Sequence, residues 1–375
     1  MRTLPSILLV IASAGCSVSN VTPDASQPAA EPWSLTAATP DAADGVRILI
    51  LHDMEGLSGQ SDPATFDFGT PEYPTGQQLL AADVNAVVEG LFAGGATEVH
   101  VVDGHGSGNP DPDVRRDLLD PRAQQLIRET DFDAYFDLVT AGAYDAVAVV
   151  GMHAKTGSRG FASHTLTLGI GVLINGREIT ETELVGLSWG RQRVPVIFGS
   201  GDDRLAADLE TMPWIEFVTV KTATAADSAI PRPVDEVRAE LTAGAKRAVE
   251  NLTAGRAMAM VIDGPLTAGV KAVPPASFAR LAEIPGIAYA DSAITVPADS
   301  LRHAYDVIGR LVGVALTGYS SALSQVVRES REAESLRRGY GDRLSAIWFD
   351  YESGRWRAPS PPAAAPAGRK YHGYH

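Results

Sequence analysis

Three short stretches hold residues that can bind a cation or move a proton: "LHDMEG" from Leu51, "VVDGHG" from Val101 and "VVGMHAKTG" from Val149. Each follows or ends an apolar run. Asp53 and Glu55 are two apart, so an extended backbone points both carboxylates to one side. Two unneutralised carboxylates held together raise the pKa of one through repulsion, and a divalent cation removes that conflict. His105 and His153 add imidazoles, and mixed carboxylate–imidazole ligation suits zinc. Each piece also has a plainer reading. Asp53 and Glu55 could be an acidic pair at a helix start or part of an Asx turn. His105 in "GHGSG" could belong to a phosphate-binding loop, although the spacing fits no standard fingerprint. His153 could be a satisfied core histidine. His52 faces away from Asp53 and reads as structural, and His100 and His303 read as ordinary.

The elements that must position these residues alternate in type. Strands are predicted over 46–51, 98–102, 146–150, 194–198 and 257–262. The strongest helix is "QQLLAADVNAVVEGLFAGG", in which Leu80, Val84, Val87, Val88, Leu91 and Phe92 form one stripe of a 3.6-residue period. Gly94 and Gly95 stop it. A later helix runs through "LRHAYDVIGRLVGVAL", with Asp299 read as its N-cap. Helices between continuous apolar strands predict an α/β fold, a mostly parallel sheet with helices on both faces. Ligands of such sheets bind beyond the carboxyl ends of strands, which is where the three stretches lie. The length of 375 residues leaves room for a smaller second lobe.

A net charge of −15 leaves no basic surplus to displace counterions from phosphate, which argues against a nucleic-acid partner. Residues 1–15, with Arg2 and the apolar run Ile7–Ile11, read as a secretory signal, too short for an ordinary membrane span. Cys16 is the one cysteine and follows Ser13-Ala14-Gly15, as in a bacterial lipobox. The expectation is an exported protein of the cell envelope, held at a membrane only by a lipid anchor on Cys16. Residues 16–45 read as a disordered tether, 46–325 as the catalytic domain, and 326–375 as an extension disordered at its end. "GLSGQ" misses the serine nucleophile-elbow pattern at Gln60, so serine hydrolysis is a weak rival.

Taken in order, "DMEG", "DGH", "GMHA" with "SHT" eleven residues on, "ING" and "VPVIFGSGDDR" resemble the zinc-dependent D-aminopeptidase family over roughly residues 46 to 320. The resemblance implies two zinc ions per chain, held by Asp53, Glu55, His105, His153 and a later glutamate. Glu178, Glu181 and Glu183 compete for the last place. Counting from both flanking motifs lands on Glu181, and a Thr180–Glu183 capping box would occupy Glu183. His164 matches the family's catalytic histidine, for which acid–base or oxyanion duty beside a zinc-activated hydroxide is the expected role. The implied substrates are short peptides with N-terminal D-residues, and the implied assembly is a homo-oligomer, a decamer of two stacked rings. Where the family has an arginine soon after the lysine matched by Lys221, this chain has Asp227 or a neighbouring alanine. The alternatives are a dinuclear phosphoesterase, with Lys155 and Arg159 as its basic clamp, and a non-catalytic lipoprotein that binds metal or peptide.

Overall fold

The computed structural model describes residues 32–40, 45–127, 135, 136, 138–282, 284, 289 and 292–357. The strands are β1 Ser34–Ala38, β2 Arg47–His52, β3 Glu98–Asp103, β4 Gln124–Gln125, β5 Ala146–Val150, β6 Ile170–Ile174, β7 Arg177–Ile179, β8 Val196–Asp202, β9 Glu216–Ala225, β10 Ser228–Pro231, β11 Ala257–Val261, β12 Leu266–Ala272 and β13 Ala293–Ala298. The helices are α1 Tyr73–Gly94, α2 Glu181–Gly190, α3 Asp203–Asp208, α4 Val234–Thr253, α5 Ala279–Ala282, α6 Leu301–Ala315, α7 Ser320–Glu329 and α8 Ala333–Glu352.

A seven-stranded sheet runs in the order β10-β9-β8-β5-β2-β3-β4. Every pairing in it is parallel except β9 with β10. The mostly parallel α/β fold is therefore as expected. Alternation along β2 serves both faces: Ile48 and Ile50 join one core with α1 and α4, while Leu49 and Leu51 join the other with α2. The α1–α4 pair packs closely because Gly90 has no side chain; a Cβ there would lie 2.2 Å from the Thr242 carbonyl oxygen. Gly95, left-handed at φ 110°, ends α1 as its sequence predicts.

The second face is shared. Beside α2 lies a four-stranded antiparallel sheet, β13-β12-β6-β7, backed by α6. It packs into the same hydrophobic core as that face of the main sheet. The segment Leu301–Glu329 is long and apolar enough to cross a membrane. Within it, Leu301, Tyr305, Ile308 and Val312 of α6 are buried in the core, while no residue of α7 is.

Three local expectations are corrected. Ser34–Ala38 lies in the supposed tether, yet it pairs antiparallel with β11 and Trp33 is buried. That pairing also takes the strand at Ala257–Val261 out of the main sheet. The N-cap of α6 is Ser300, whose side chain accepts from the His303 N–H, not Asp299. The expected signal, Cys16 and the last low-complexity stretch lie outside the described residues.

Candidate metal centre

The strand order explains why distant residues meet. After β2 the chain adds β3 and β4 on one side, then returns to place β5 on the other, so the order reverses at β2. Crevices at such reversals are where α/β sheets bind ligands. The register aligns the three strand ends: His52 lies opposite Asp103 on β3 and Val150 on β5. Asp53 and Glu55 follow β2, His105 follows β3, and His153 follows β5. Glu181 arrives from elsewhere, as the first residue of α2. Thr180 and Glu183 form the expected capping box, with the Glu183 N–H donating to Thr180 Oγ1 at 3.0 Å and the Thr180 N–H to Glu183 Oε2 at 2.7 Å. Glu183 is thereby spent on the helix end. Glu181 turns into the site.

Two sets of side chains result, each with its ligand atoms within 4.8 Å of one another: Asp53, Glu55 and His105, and Asp53, His153 and Glu181. Asp53 belongs to both. A third grouping brings His164 to Glu55 and His153. The His164 ring stacks on that of His153 with centroids 3.9 Å apart and planes 13° apart.

The hydrogen bonds assign the imidazole tautomers. A carbonyl can only accept, so His153 Nδ1 donates to the Ala154 oxygen at 3.0 Å and His164 Nδ1 to the Ala162 oxygen at 2.7 Å. His105 Nδ1 lies 2.7 Å from Asp113 Oδ2 and donates likewise. Each ring then presents Nε2. His153 Nε2 is buried without a hydrogen-bond partner, 3.4 Å from Asp53 Oδ2 and 3.5 Å from Glu181 Oε1. His105 Nε2 lies 3.3 Å from Glu55 Oε1. A neutral imidazole facing carboxylates sets lone pairs against lone pairs, an arrangement that a cation between them relieves. The donor set therefore fits divalent metal.

With protons in place of metal, the charges arrange themselves to the same end. Burial, then the neighbouring Glu55 carboxylate, pushes Asp53 up to about 8. Burial alone would lower His105 and His153, but Glu55 beside the first and Glu181 beside the second outweigh it and raise both well above the usual histidine range. Burial likewise disfavours ionised Glu181, yet His153 outweighs it and holds that carboxyl at about 2. His164 moves the other way, lowered by burial and then by His153.

The centre opens into a cavity of about 720 Å³, lined by four of the five expected ligands (His153 lies just beneath), by His164 and Tyr135, and on its apolar side by Phe66, Leu166 and Leu168. Asp67 and Asp227 also line it, and among the described residues no lysine or arginine does. Lys155 is instead paired with Asp208. Among the described residues, the cavity wall thus lacks the basic clamp required by a phosphoesterase. His52 is fully buried and pushed down to about 3 by burial, in keeping with a structural role. His100 bonds Tyr144 at 2.7 Å.

Sequence reasoning did not single out three residues that matter here. Asp113 holds His105, Tyr135 bonds Glu181, and Lys221, recognised only by resemblance, lies buried beneath the centre. Lys221 Nζ donates to the Glu55 carbonyl at 2.5 Å and to Gln60 Oε1 at 2.7 Å, 4.0 Å from the centroid of the Phe161 ring. No local pattern marks Asp113 or Tyr135. A charged residue inside the apolar alternation of "FVTVKT" was the one available signal, for Lys221.

Gly56, which closes "DMEG", packs against the loop after β5. A Cβ there would lie 1.9 Å from the Met152 carbonyl oxygen, and its N–H donates to the Gly151 oxygen at 2.7 Å. Gly56→Ala must push apart the two loops that carry Asp53 and His153. Its expected cost is about 1–3 kcal/mol of stability in urea unfolding, with weakened metal binding. Unchanged stability and metal content would show that the loops have room.

Comparisons with known proteins bear on the family and the fold. A D-aminopeptidase of Bacillus subtilis strain 168 is 28% identical over 180 residues, which are 47% of this chain and 64% of that protein, so the match spans less than two thirds of the relative. The structure resembles that of the zinc-dependent D-aminopeptidase DppA from Bacillus subtilis, described as a self-compartmentalizing protease, with a TM-score of 0.63 and 22% identity over 72% of this chain and 98% of the other. At that identity the likeness speaks for the fold. The D-aminopeptidase family model matches residues 46–309, which contain both ligand sets and His164, and on that match the chain belongs to the D-aminopeptidase family.

Proposed function

We propose that the protein is a metal-dependent aminopeptidase that removes N-terminal residues, D-residues foremost, from short peptides, with two zinc ions held by Asp53, Glu55, His105, His153 and Glu181. The observation that carries this reading is that Asp53 belongs to two ligand sets at once. Two Zn(II) ions bring +4 against the −3 of Asp53, Glu55 and Glu181, close to balance. Bound zinc supplies Lewis acidity, acidifying water and polarising a carbonyl.

The remaining work falls to the chain itself. With Nδ1–H committed to Ala162, His164 exchanges protons through Nε2 alone. Its lowered pKa keeps it neutral near pH 7, so Nε2 starts as an acceptor. That favours acid–base duty, taking a proton during attack and returning it to the leaving amine, over direct donation to an oxyanion. The apolar wall of Phe66, Leu166 and Leu168 suits a small side chain, and the volume suits a short peptide. The lack of lysine or arginine among the described wall residues weighs against the phosphoesterase reading. The retained ligand sets weigh against a merely binding lipoprotein. By the same reading the protein assembles as a closed homo-oligomer, in keeping with the self-compartmentalizing relative, and sits in the cell envelope on a lipid at Cys16.

The test is metal content and product release in one chelator-free preparation. We expect about two zinc ions per chain, with release of D-alanine from D-alanyl di- and tripeptides exceeding that of L-alanine from matched peptides. Two zinc ions without peptide cleavage would transfer the chemistry elsewhere, and metal-free protein that still cleaves would remove the reading.

The proton distribution adds a pH dependence. The raised pKa values of His105 and His153 stabilise the metal-free protein below the unfolded histidine value near 6.5, a contribution lost as pH rises toward the folded values. Raised Asp53 acts in the same direction, since ionising it costs more in the fold than in the open chain. Zinc must displace these protons, so its affinity rises with pH. Thermal stabilisation by zinc is therefore expected to grow from pH 6 to pH 8, with proton release measurable by calorimetry in two buffers. A shift that shrinks over this range would contradict the ligand set.

A further inference from the structure

We propose that Tyr135 and Asp113 are positioning residues, each setting the geometry of one ligand set: Tyr135 through Glu181, and Asp113 through His105. The inference rests on the two-metal reading above.

Glu181 occupies the first position of α2, where a carboxylate can fold back onto the free N–H groups of its own helix. Here both its oxygens are drawn away. The Tyr135 hydroxyl donates to Oε2, and the Leu166 N–H donates to Oε1 at 2.7 Å. Leu166 holds a left-handed backbone (φ 68°), unusual for a branched residue, at the point where it makes this bond. Oε1 is left facing His153 Nε2 at 3.5 Å. The tyrosine is itself fastened to α2, because its backbone carbonyl accepts from Ser188 Oγ. Its neighbour Phe136 stacks on Tyr305 of α6, with centroids 4.1 Å apart. Tyr135 and Phe136 are thus braced against both α2 and α6.

Asp113 does the corresponding work on the other side. Its Oδ2 accepts His105 Nδ1–H and so fixes Nε2 as the nitrogen facing Glu55. The carboxylate is held in turn by Ser107 Oγ at 2.6 Å and by the Tyr73 hydroxyl, while its own N–H donates to Asp103 Oδ2 at 2.5 Å. His153 has no side-chain partner on Nδ1; the Ala154 carbonyl serves it. Glu181 and His105 each belong to one set only, whereas Asp53 belongs to both. Removing the support of either should therefore weaken one metal and spare the other, which no general loss of packing would do.

The experiment is zinc titration of the full chain against a chelating indicator that resolves two affinities. Tyr135→Phe, which deletes one oxygen, should weaken one zinc equivalent by about 10–100-fold and leave the other unchanged. Asp113→Asn should weaken the other equivalent by a similar factor. Asp113→Glu, which keeps the charge but moves the carboxylate, is the second variant should the asparagine protein not fold, and it should weaken the same equivalent. In a Glu181→Gln background Tyr135→Phe should add nothing, while Asp113→Asn should still act. The assignment fails if Tyr135→Phe changes neither equivalent, weakens both alike, or acts undiminished in the Glu181→Gln background. Wild-type protein that binds fewer than two zinc ions would overturn the two-metal reading itself. Two zinc ions with an unaltered Tyr135→Phe protein would overturn the positioning role alone.

Discussion

Replacing Asp53 with alanine is expected to remove both metal ions together and turnover with them. Within the two sets that meet at Asp53, every other proposed ligand occurs once, so its loss leaves three donors to the second metal, whereas Asp53 is common to both. Its loss also leaves His153 Nε2 without the carboxylate at 3.4 Å. Lewis-acid stabilisation of developing charge is worth several kcal/mol, and each 1.36 kcal/mol is a factor of ten, so a fall in kcat/KM of at least about a thousandfold follows. The metal-free fold should survive. Removing a carboxyl that burial pushes up to about 8 relieves a strained group, so the Asp53→Ala protein without zinc should be no less stable than wild type without zinc. Zinc per chain by elemental analysis, peptide turnover and apo-protein unfolding together check the prediction. A variant that retained one tight zinc would mean that Asp53 is not shared.

His164→Ala should separate chemistry from metal binding. The histidine lines the cavity and stacks on His153, and it is absent from both sets that share Asp53. Two zinc ions should therefore remain while kcat falls by about 10²–10⁴-fold, the usual worth of a positioned acid–base group. The wild-type rate should rise with pH as His164 loses its proton, at a pH below the ordinary histidine value because burial and His153 lower it. That acidic limb should disappear in the variant. Full turnover by His164→Ala with zinc in place would end the acid–base assignment, and loss of zinc would make His164 a ligand.

Much of the centre was legible before any coordinates. An apolar run that stops at two carboxylates spaced for one side marks a strand end with a job, and two more such ends carry histidines. The competition among Glu178, Glu181 and Glu183 was also narrowed locally, since a threonine three residues before a glutamate is a capping signal, and that capping box forms. Lys271 takes Glu178, at 3.1 Å. Local rules failed where two good local candidates stood side by side. Asp299 and Ser300 both suit an N-cap, and it is the serine whose side chain accepts from the His303 N–H. They failed again at Ser34–Ala38, whose polar, proline-flanked surroundings look like a linker but whose backbone finds β11 more than two hundred residues away.

What the sequence determined by itself was the alternation of strand and helix, the ends of α1 and α2, the residue types at three strand ends and the family to which their order points. Those features depend on period, capping and spacing, all of which are written within a few residues. Only the tertiary structure decided that Lys155 turns away to Asp208, and that Tyr135 and Asp113 stand behind Glu181 and His105. Each of these is a contact between side chains brought together by the reversal of strand order or the packing of loops. A buried tyrosine or aspartate carries no local mark of the partner it will meet, because that partner is chosen by the closing of the fold around it.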